Sequence, residues 1–417
     1  MGKYVISGGK RLEGVIDISG SKNAALPVLC ASVINGGINI INNCPDISDI
    51  RDMCSLLRNI GCGVTRKGNT VIVDSSTADG ENIDYETVGK IRSSVTLMGA
   101  VAGRFGRFSA CKPGGCTIGA RPIDIHIEAM RALGAVVEEK ADIIDVKAQK
   151  LSGCVINMPF PSVGATENAM MAAVFAEGTT AVVNCAREAE VVCLQNFLRS
   201  IGVNIYGAES GTIIVEGCKK FKNTEFDIIY DRIEAGTFLC GCAGCGGNIF
   251  LKNAPWREML STLKVLSAAG CGIYACDEGI WFSAEKSLKS VPLVRTGVYP
   301  YFPTDMQPQT AAMLTLAQGT SIIVETVFEK RMGYTRELKK FGAELSASDR
   351  VCVINGVKSL KGAVVNAGDL RAGAALINAA LSAEGTSVIY GSEYLERGYE
   401  GIEQKLKKAG ADIELIK

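Results

Sequence analysis

The sequence predicts an α/β protein of two similar domains, each assembled from three repeats of about 70 residues. Three observations carry that prediction. An apolar residue, a glycine and a small residue recur six times, at Ile60-Gly61-Cys62, Leu133-Gly134-Ala135, Ile201-Gly202-Val203, Ala269-Gly270-Cys271, Phe341-Gly342-Ala343 and Ala409-Gly410-Ala411. Those glycines stand 73, 68, 68, 72 and 68 residues apart. Between them helical and alternating apolar patterns follow one another in the same order, and 417 residues is enough chain for two or three domains.

The third repeat shows the elements most plainly. Thr166-Glu167-Asn168-Ala169-Met170-Met171-Ala172-Ala173 has no polar stripe, which predicts a buried helix stopping at Gly178. Residues 179–183 are mostly β-branched and read as a strand. Residues 190–201 carry Val191, Leu194, Phe197, Leu198 and Ile201 at helical spacing, which predicts an amphipathic helix with Gly202 as its C-cap. Short strands around 203–206 and 212–215 close the unit, giving α-β-α-β-β. The first helices of the six repeats end by this reading at Gly36, Gly103, Gly178, Gly244, Gly319 and Gly385. Val5-Ile6 and residues 15–18 fall outside the repeats and read as strands that pair with the C-terminal half. The domains are then 22–229 and 1–21 plus 230–417, with ligands in the cleft between them.

Composition removes several function classes. Lys plus Arg and Asp plus Glu are both 44, so no net field favours nucleic acid or an anionic membrane. The 16 cysteines follow no disulfide framework, no signal segment precedes Lys10 and Arg11, and the apolar run 235–251 is too short to span a bilayer. The expectation is a cytoplasmic protein with reduced thiols. His126 is the only histidine, which excludes a His-rich metal site and suggests a structural role. Cys240, Cys242 and Cys245 form C-x-C-x-x-C inside a predicted apolar helix, where cysteine packs as a small hydrophobe. Neither a Walker-type phosphate loop nor a strand-placed G-x-G-x-x-G occurs, so the usual ATP and NAD signatures are missing.

Chemistry concentrates where the first helices begin. Lys22, Arg92, Glu167, Arg232, Asp305 and Arg371 stand at similar phase, and free helix N–H groups reinforced by cations suit an anionic substrate. The stretch Lys112-Pro113-Gly114-Gly115-Cys116-Thr117-Ile118-Gly119-Ala120-Arg121-Pro122-Ile123-Asp124 reads as a loop carrying a thiol between Lys112 and Arg121, surroundings that lower a thiol pKa.

Six motifs in order resemble one family. They are Ser19-Gly20-Ser21-Lys22-Asn23-Ala24-Ala25-Leu26-Pro27, the loop at 113–124, Pro161-Ser162-Val163-Gly164-Ala165-Thr166-Glu167-Asn168, Phe302-Pro303-Thr304-Asp305-Met306-Gln307-Pro308-Gln309, Asp369-Leu370-Arg371-Ala372-Gly373 and Arg397-Gly398-Tyr399-Glu400. Together they resemble the UDP-N-acetylglucosamine enolpyruvyl transferases over essentially the whole chain. The resemblance implies two inside-out α/β domains of the enolpyruvyl transferase fold. It also implies transfer of the enolpyruvyl group of phosphoenolpyruvate to the sugar 3′-hydroxyl of UDP-N-acetylglucosamine, a step of bacterial cell-wall synthesis, with these two small molecules as partners and no cofactor or metal.

By the same resemblance Cys116 is the general acid, and Lys22, Arg121, Arg371 and Arg397 hold the doubly anionic phosphoenolpyruvate. Asp305 contacts the sugar hydroxyl as a base, and Asn23 stands beside Lys22. Arg92, Arg121, Pro122, Ile123, Asp124, Ile125, Ser162, Val163, Gly164 and Val327 surround the nucleotide, with Gly164 admitting close backbone approach. Arg331 and Asp369 line the cleft behind them. One segment departs from the family pattern: a phenylalanine and then a histidine usually follow the counterpart of Arg331, whereas here the run is Arg331-Met332-Gly333-Tyr334-Thr335-Arg336. Two other readings share the cationic sites: a shikimate 3-phosphate enolpyruvyl transferase, and a paralogue that binds the nucleotide sugar with little turnover.

Overall fold

The structure is a computed structural model that describes residues 2–79, 92–111, 123–140 and 143–417. The chain divides into two compact units, one running from Gly20 to Ile229 and the other joining the chain up to Ser19 with Tyr230–Lys417. Each unit has its own apolar core.

Among the described residues the helices in chain order are α1 Lys22–Ala31, α2 Ser48–Asn59, α3 Met98–Phe105, α4 Asp124–Ala132, α5 Val163–Ala173, α6 Ala189–Ser200, α7 Arg232–Cys245, α8 Leu260–Ala268, α9 Gln307–Leu314, α10 Thr335–Lys340, α11 Leu370–Ser382, α12 Ser392–Leu395 and α13 Ile402–Lys408. The second helix of each repeat stops at the recurring glycine. All six glycines, from Gly61 to Gly410, have φ between 87° and 107°, a left-handed conformation that explains why glycine recurs there.

Among the first helices, α5 is buried from Ala165 to Ala173 and α9 from Gln307 to Leu314, which matches their lack of a polar stripe. In the second unit α7, α9 and α11 pack on one another, and in the first α3 packs on α5. Sheets surround these helices and alternate buried with exposed residues, as in Thr179–Val183 and Thr386–Tyr390. Each unit is therefore helical inside and sheeted outside.

Two expected helix ends are corrected. Gly103 and Gly244 lie within α3 and α7, which run on to Phe105 and Cys245 and are followed by Gly106 and Gly246 at φ 75° and 74°. At both positions the missing side chain serves packing: an added Cβ would strike the Phe175 ring at Gly103 and come within 2.5 Å of Ser382 Oγ at Gly244.

Strand exchange joins the repeats. The short strands Val155–Asn157, Leu293–Arg295 and Val364–Asn366 each pair in parallel with the first strand of the following repeat, Thr179–Val183, Thr320–Val324 and Thr386–Tyr390. Thr224–Asp227 returns to pair with Ile38–Asn42, which closes the first unit on itself. In the second unit Leu12–Asp17 pairs in parallel with Gly247–Lys252, and Lys3–Ser7 lies between Thr386–Tyr390 and Asp412–Ile416. The N-terminal strand thus fills the place that a repeat's own last strand fills elsewhere.

Candidate functional site

The helix starts are built from local caps. Ser21 and Ser162 accept from Ala24 and Ala165 N, Asp231 accepts from Ile233 and Glu234 N, and Asp369 accepts from Arg371 and Ala372 N. Four first helices therefore spend free N–H groups on their own side chains, and what remains for an anion is the formal charge beside them. That charge is partly matched. Lys22 opens α1 and its Nζ is 2.6 Å from Asp49 of α2, with Asn23 half-buried next to it. Glu167 does not stand at a helix start as expected. Ser162 caps α5 one turn earlier, so Glu167 lies inside the helix, buried, and burial followed by Glu190 and Glu188 pushes its carboxyl up.

The second unit brings charged residues together at Asp305. Asp305 sits in the 3-10 turn Thr304–Met306 ahead of α9, and its Oδ1 accepts from Arg331 Nη2 at 3.0 Å while Oδ2 accepts from Arg371 Nη2 at 2.9 Å. The two guanidinium side chains are only 3% and 6% exposed, against 28% for the carboxylate. Burial alone would raise the Asp305 carboxyl, but Arg371 and Arg331, with Arg232 at the start of α7, outweigh it and hold it far below the usual range. A carboxylate with both oxygens engaged in this way is a weak base, so its geometry favours accepting a hydrogen bond over abstracting a proton.

Arg371 is braced from behind. Its Nη1 donates to Tyr399 Oη at 3.2 Å, which is 2.9 Å from Thr237 Oγ1 and accepts from Gln309 Nε2 at 3.3 Å. Asp369 caps the helix that carries it, and Arg397 lies half-buried two residues before Tyr399.

Three parts of the first unit, the turn at 92–97, α4 and the start of α5, meet at Asn168. Its Nδ2 donates to Val95 O in the turn opened by Arg92 and lies 2.9 Å from His126 Nδ1, and its Oδ1 accepts from Gly99 N at 2.7 Å. Burial lowers His126 to about 4 against the opposing pull of Asp124, so the ring is neutral and Nδ1 can accept. Ile123 precedes α4, Asp124 and Ile125 open it, and Ser162, Val163 and Gly164 open α5. The structure brings these two helix starts together. A Cβ on Gly164 would stand 3.1 Å from His126 Cε1, so the group that approaches this glycine closely is the histidine ring.

Cys116, Arg121 and Pro122 lie outside the described residues. Val327 is half-buried, with its N–H bound to Glu325. The segment that departs from the family pattern is well seated: Met332 and Tyr334 are buried, Thr335 Oγ1 donates to Met332 O at 2.7 Å, and Arg331 still reaches Asp305. Cys240, Cys242 and Cys245 are buried in α7, where burial raises each thiol, Cys240 to about 12 and Cys245 to about 11. Asp49, Asn168, Glu325 and Tyr399 are the polar residues that sequence reasoning did not single out. Asn168 and Tyr399 carried a signal, since they stand inside the Pro161–Asn168 and Arg397–Glu400 motifs.

The sequence profile of the EPSP synthase (3-phosphoshikimate 1-carboxyvinyltransferase) family matches residues 6–406. The enolpyruvyl transferase NikO from Streptomyces tendae superposes with a TM-score of 0.88 at 26% identity, covering 100% of this chain and 99% of its own. EPSP synthase from Acinetobacter baumannii superposes at 0.75 and 17% identity, a likeness of fold alone. Fold and profile thus define the class as a 1-carboxyvinyl transferase. Two curated relatives narrow it. The UDP-N-acetylglucosamine 1-carboxyvinyltransferase 2 of Caldanaerobacter subterraneus subsp. tengcongensis is 43% identical over 99% of both chains, and the UDP-N-acetylglucosamine 1-carboxyvinyltransferase of Desulforapulum autotrophicum is 40% identical over 100% of both. The chain belongs to the UDP-N-acetylglucosamine 1-carboxyvinyltransferase family of enzymes. No helix among the described residues is long and apolar enough to cross a membrane.

Proposed function

We propose that this chain transfers the enolpyruvyl group of phosphoenolpyruvate to the 3′-hydroxyl of UDP-N-acetylglucosamine with release of phosphate, acting in the cytoplasm on the first committed step of peptidoglycan synthesis. The observation that carries the reading is the Asp305–Arg331–Arg371 cluster in a chain 43% identical, end to end, to an enzyme of that name.

In this reading the Cys116 thiol gives its proton to the methylene carbon of phosphoenolpyruvate while the sugar oxygen bonds to the neighbouring carbon. The tetrahedral adduct then loses phosphate and a methyl proton to restore the enol ether. Phosphate and carboxylate need cationic partners, the role assigned to Lys22, Arg121, Arg371 and Arg397. Asp305 accepts from the sugar 3′-hydroxyl and aims its oxygen; with its basicity depressed, it takes the proton only as the hydroxyl becomes acidic in the transition state. Asn23 supports Lys22, while residues 121–125, Ser162, Val163, Gly164, Arg92 and Val327 serve the nucleotide, and Arg331 and Asp369 hold Asp305 and the start of α11.

The test is phosphate release by the purified protein. Release from phosphoenolpyruvate is expected only when UDP-N-acetylglucosamine is present, with Cys116→Ala reducing it by a factor of at least about 100. Release with shikimate 3-phosphate in its place, or full turnover by Cys116→Ala, overturns the reading.

A further inference from the structure

Glu325 follows the strand Thr320–Val324 and is 0% exposed. Its Oε1 accepts from Thr296 Oγ1 at 3.0 Å, Val327 N at 2.8 Å and Phe328 N at 3.1 Å, and its Oε2 accepts from Thr304 Oγ1 at 2.9 Å. Four donors replace the water that a buried carboxylate gives up. They come from three separate pieces of chain: Thr296 just past Leu293–Arg295, the backbone at 327–328, and Thr304, the residue before Asp305.

Thr296 is itself fixed, because its Oγ1 accepts from Thr326 N at 2.8 Å and its carbonyl accepts from Thr326 Oγ1 at 2.8 Å. The circuit closes on the far side. The Phe328 ring centroid lies 5.2 Å from the Arg331 guanidinium, and Arg331 reaches Asp305 at 3.0 Å. Glu325, Thr304, Asp305, Arg331 and Phe328 thus form a ring of contacts within one unit, and Glu325 is the member that binds both the turn carrying Asp305 and the backbone at Val327.

We infer that Glu325 is a positioning residue: by holding Thr304 on one oxygen and the 327–328 backbone on the other, it fixes where the Asp305 carboxylate stands relative to the Val327 main chain. The inference rests on the proposed function, in which Asp305 meets the sugar hydroxyl and Val327 the nucleotide of the same substrate molecule. Displacing one relative to the other by about 1 Å is the scale of error that costs on the order of 100-fold in rate.

Three substitutions separate geometry from charge. Glu325→Ala removes all four acceptor contacts. Glu325→Gln keeps an oxygen for Thr296, Val327 and Phe328 and turns its amide nitrogen to Thr304, whose hydroxyl can rotate to accept. Thr304→Val keeps the shape and cuts only the link to the Asp305 turn. Steady-state phosphate release with each substrate varied in turn, and calorimetric binding of UDP-N-acetylglucosamine, read the outcome.

Glu325→Ala is expected to lose about 100-fold in kcat/KM for UDP-N-acetylglucosamine, with the KM for phosphoenolpyruvate unchanged. Glu325→Gln should recover to within about fivefold of wild type, and Thr304→Val should lower kcat about tenfold while the nucleotide sugar binds as before. Wild-type kinetics in Glu325→Ala, or equal losses for both substrates in every variant, overturn the inference. Should Glu325→Ala not fold, wild-type kcat in Thr304→Val overturns it alone. A wild-type protein that releases no phosphate with UDP-N-acetylglucosamine instead defeats the proposed function and takes this inference with it.

Discussion

Asp305 is one carboxylate shared by two buried guanidinium groups, so replacing it strands two charges. Asp305→Asn is expected to lower the unfolding free energy by about 3 kcal/mol at neutral pH, the scale of a broken buried pair. The pH dependence has a defined sign. The native carboxyl is held below its unfolded value of about 3.8, so its stabilisation is complete above that value and is lost as pH falls toward the native one. Urea midpoints of wild type and Asp305→Asn should draw closer as pH falls below about 4, and a gap that stays constant would contradict the pairing. At this scale Lys22, Asp305 and Arg371 were legible in the sequence, because they sit in long motifs at a helix start. Asp49 and Glu325 were not, since an acidic residue near a strand or on an amphipathic helix looks like any solvated charge until its partners, Lys22 or Thr304, are brought to it.

Elements are set by how closely helices approach. Gly99 lies in α3 with its N–H on Asn168, and an added Cβ would overlap the Asn168 carbonyl oxygen of α5. Backbone cannot rotate away as a side chain can. Alanine normally improves a helix interior by about 1 kcal/mol over glycine, yet Gly99→Ala is expected to destabilise by about 1–3 kcal/mol through overpacking. Thermal melting decides the sign, and a raised Tm would show that the two helices have room. The helices themselves were readable from unbroken apolar composition and from the six recurring glycines. Helix ends at Gly103 and Gly244 were misassigned because glycine serves both as a cap and as a packing surface, and local sequence does not distinguish the two uses.

For the molecule as a whole, the N-terminal strand is the distinctive feature. Lys3–Ser7 is hydrogen-bonded on both edges, and Tyr4 and Ile6 are buried in the core of the second unit. Deleting residues 2–8 removes two large core side chains, each worth about 3 kcal/mol, and leaves Asp412–Ile416 without its partner. Limited proteolysis of the truncated protein should cut within 386–416 while 20–229 stays protected; equal resistance in both units would refute the pairing. Val5-Ile6 was legible as a strand pairing with the C-terminal half, but its two neighbours, Thr386–Tyr390 and Asp412–Ile416, came only from the structure.

The order of helices and strands, their sixfold recurrence, the capping glycines and the family were set by the sequence alone, because periodicity and backbone chirality act within a few residues and long motifs survive as strings. Which charges neutralise one another, why Gly99 cannot carry a side chain, and how Glu325 ties Thr304 to Val327 were decided only by tertiary structure. Those relations depend on distances between residues far apart in the chain, and Coulomb attraction, overlap and hydrogen bonding are all steep functions of that distance.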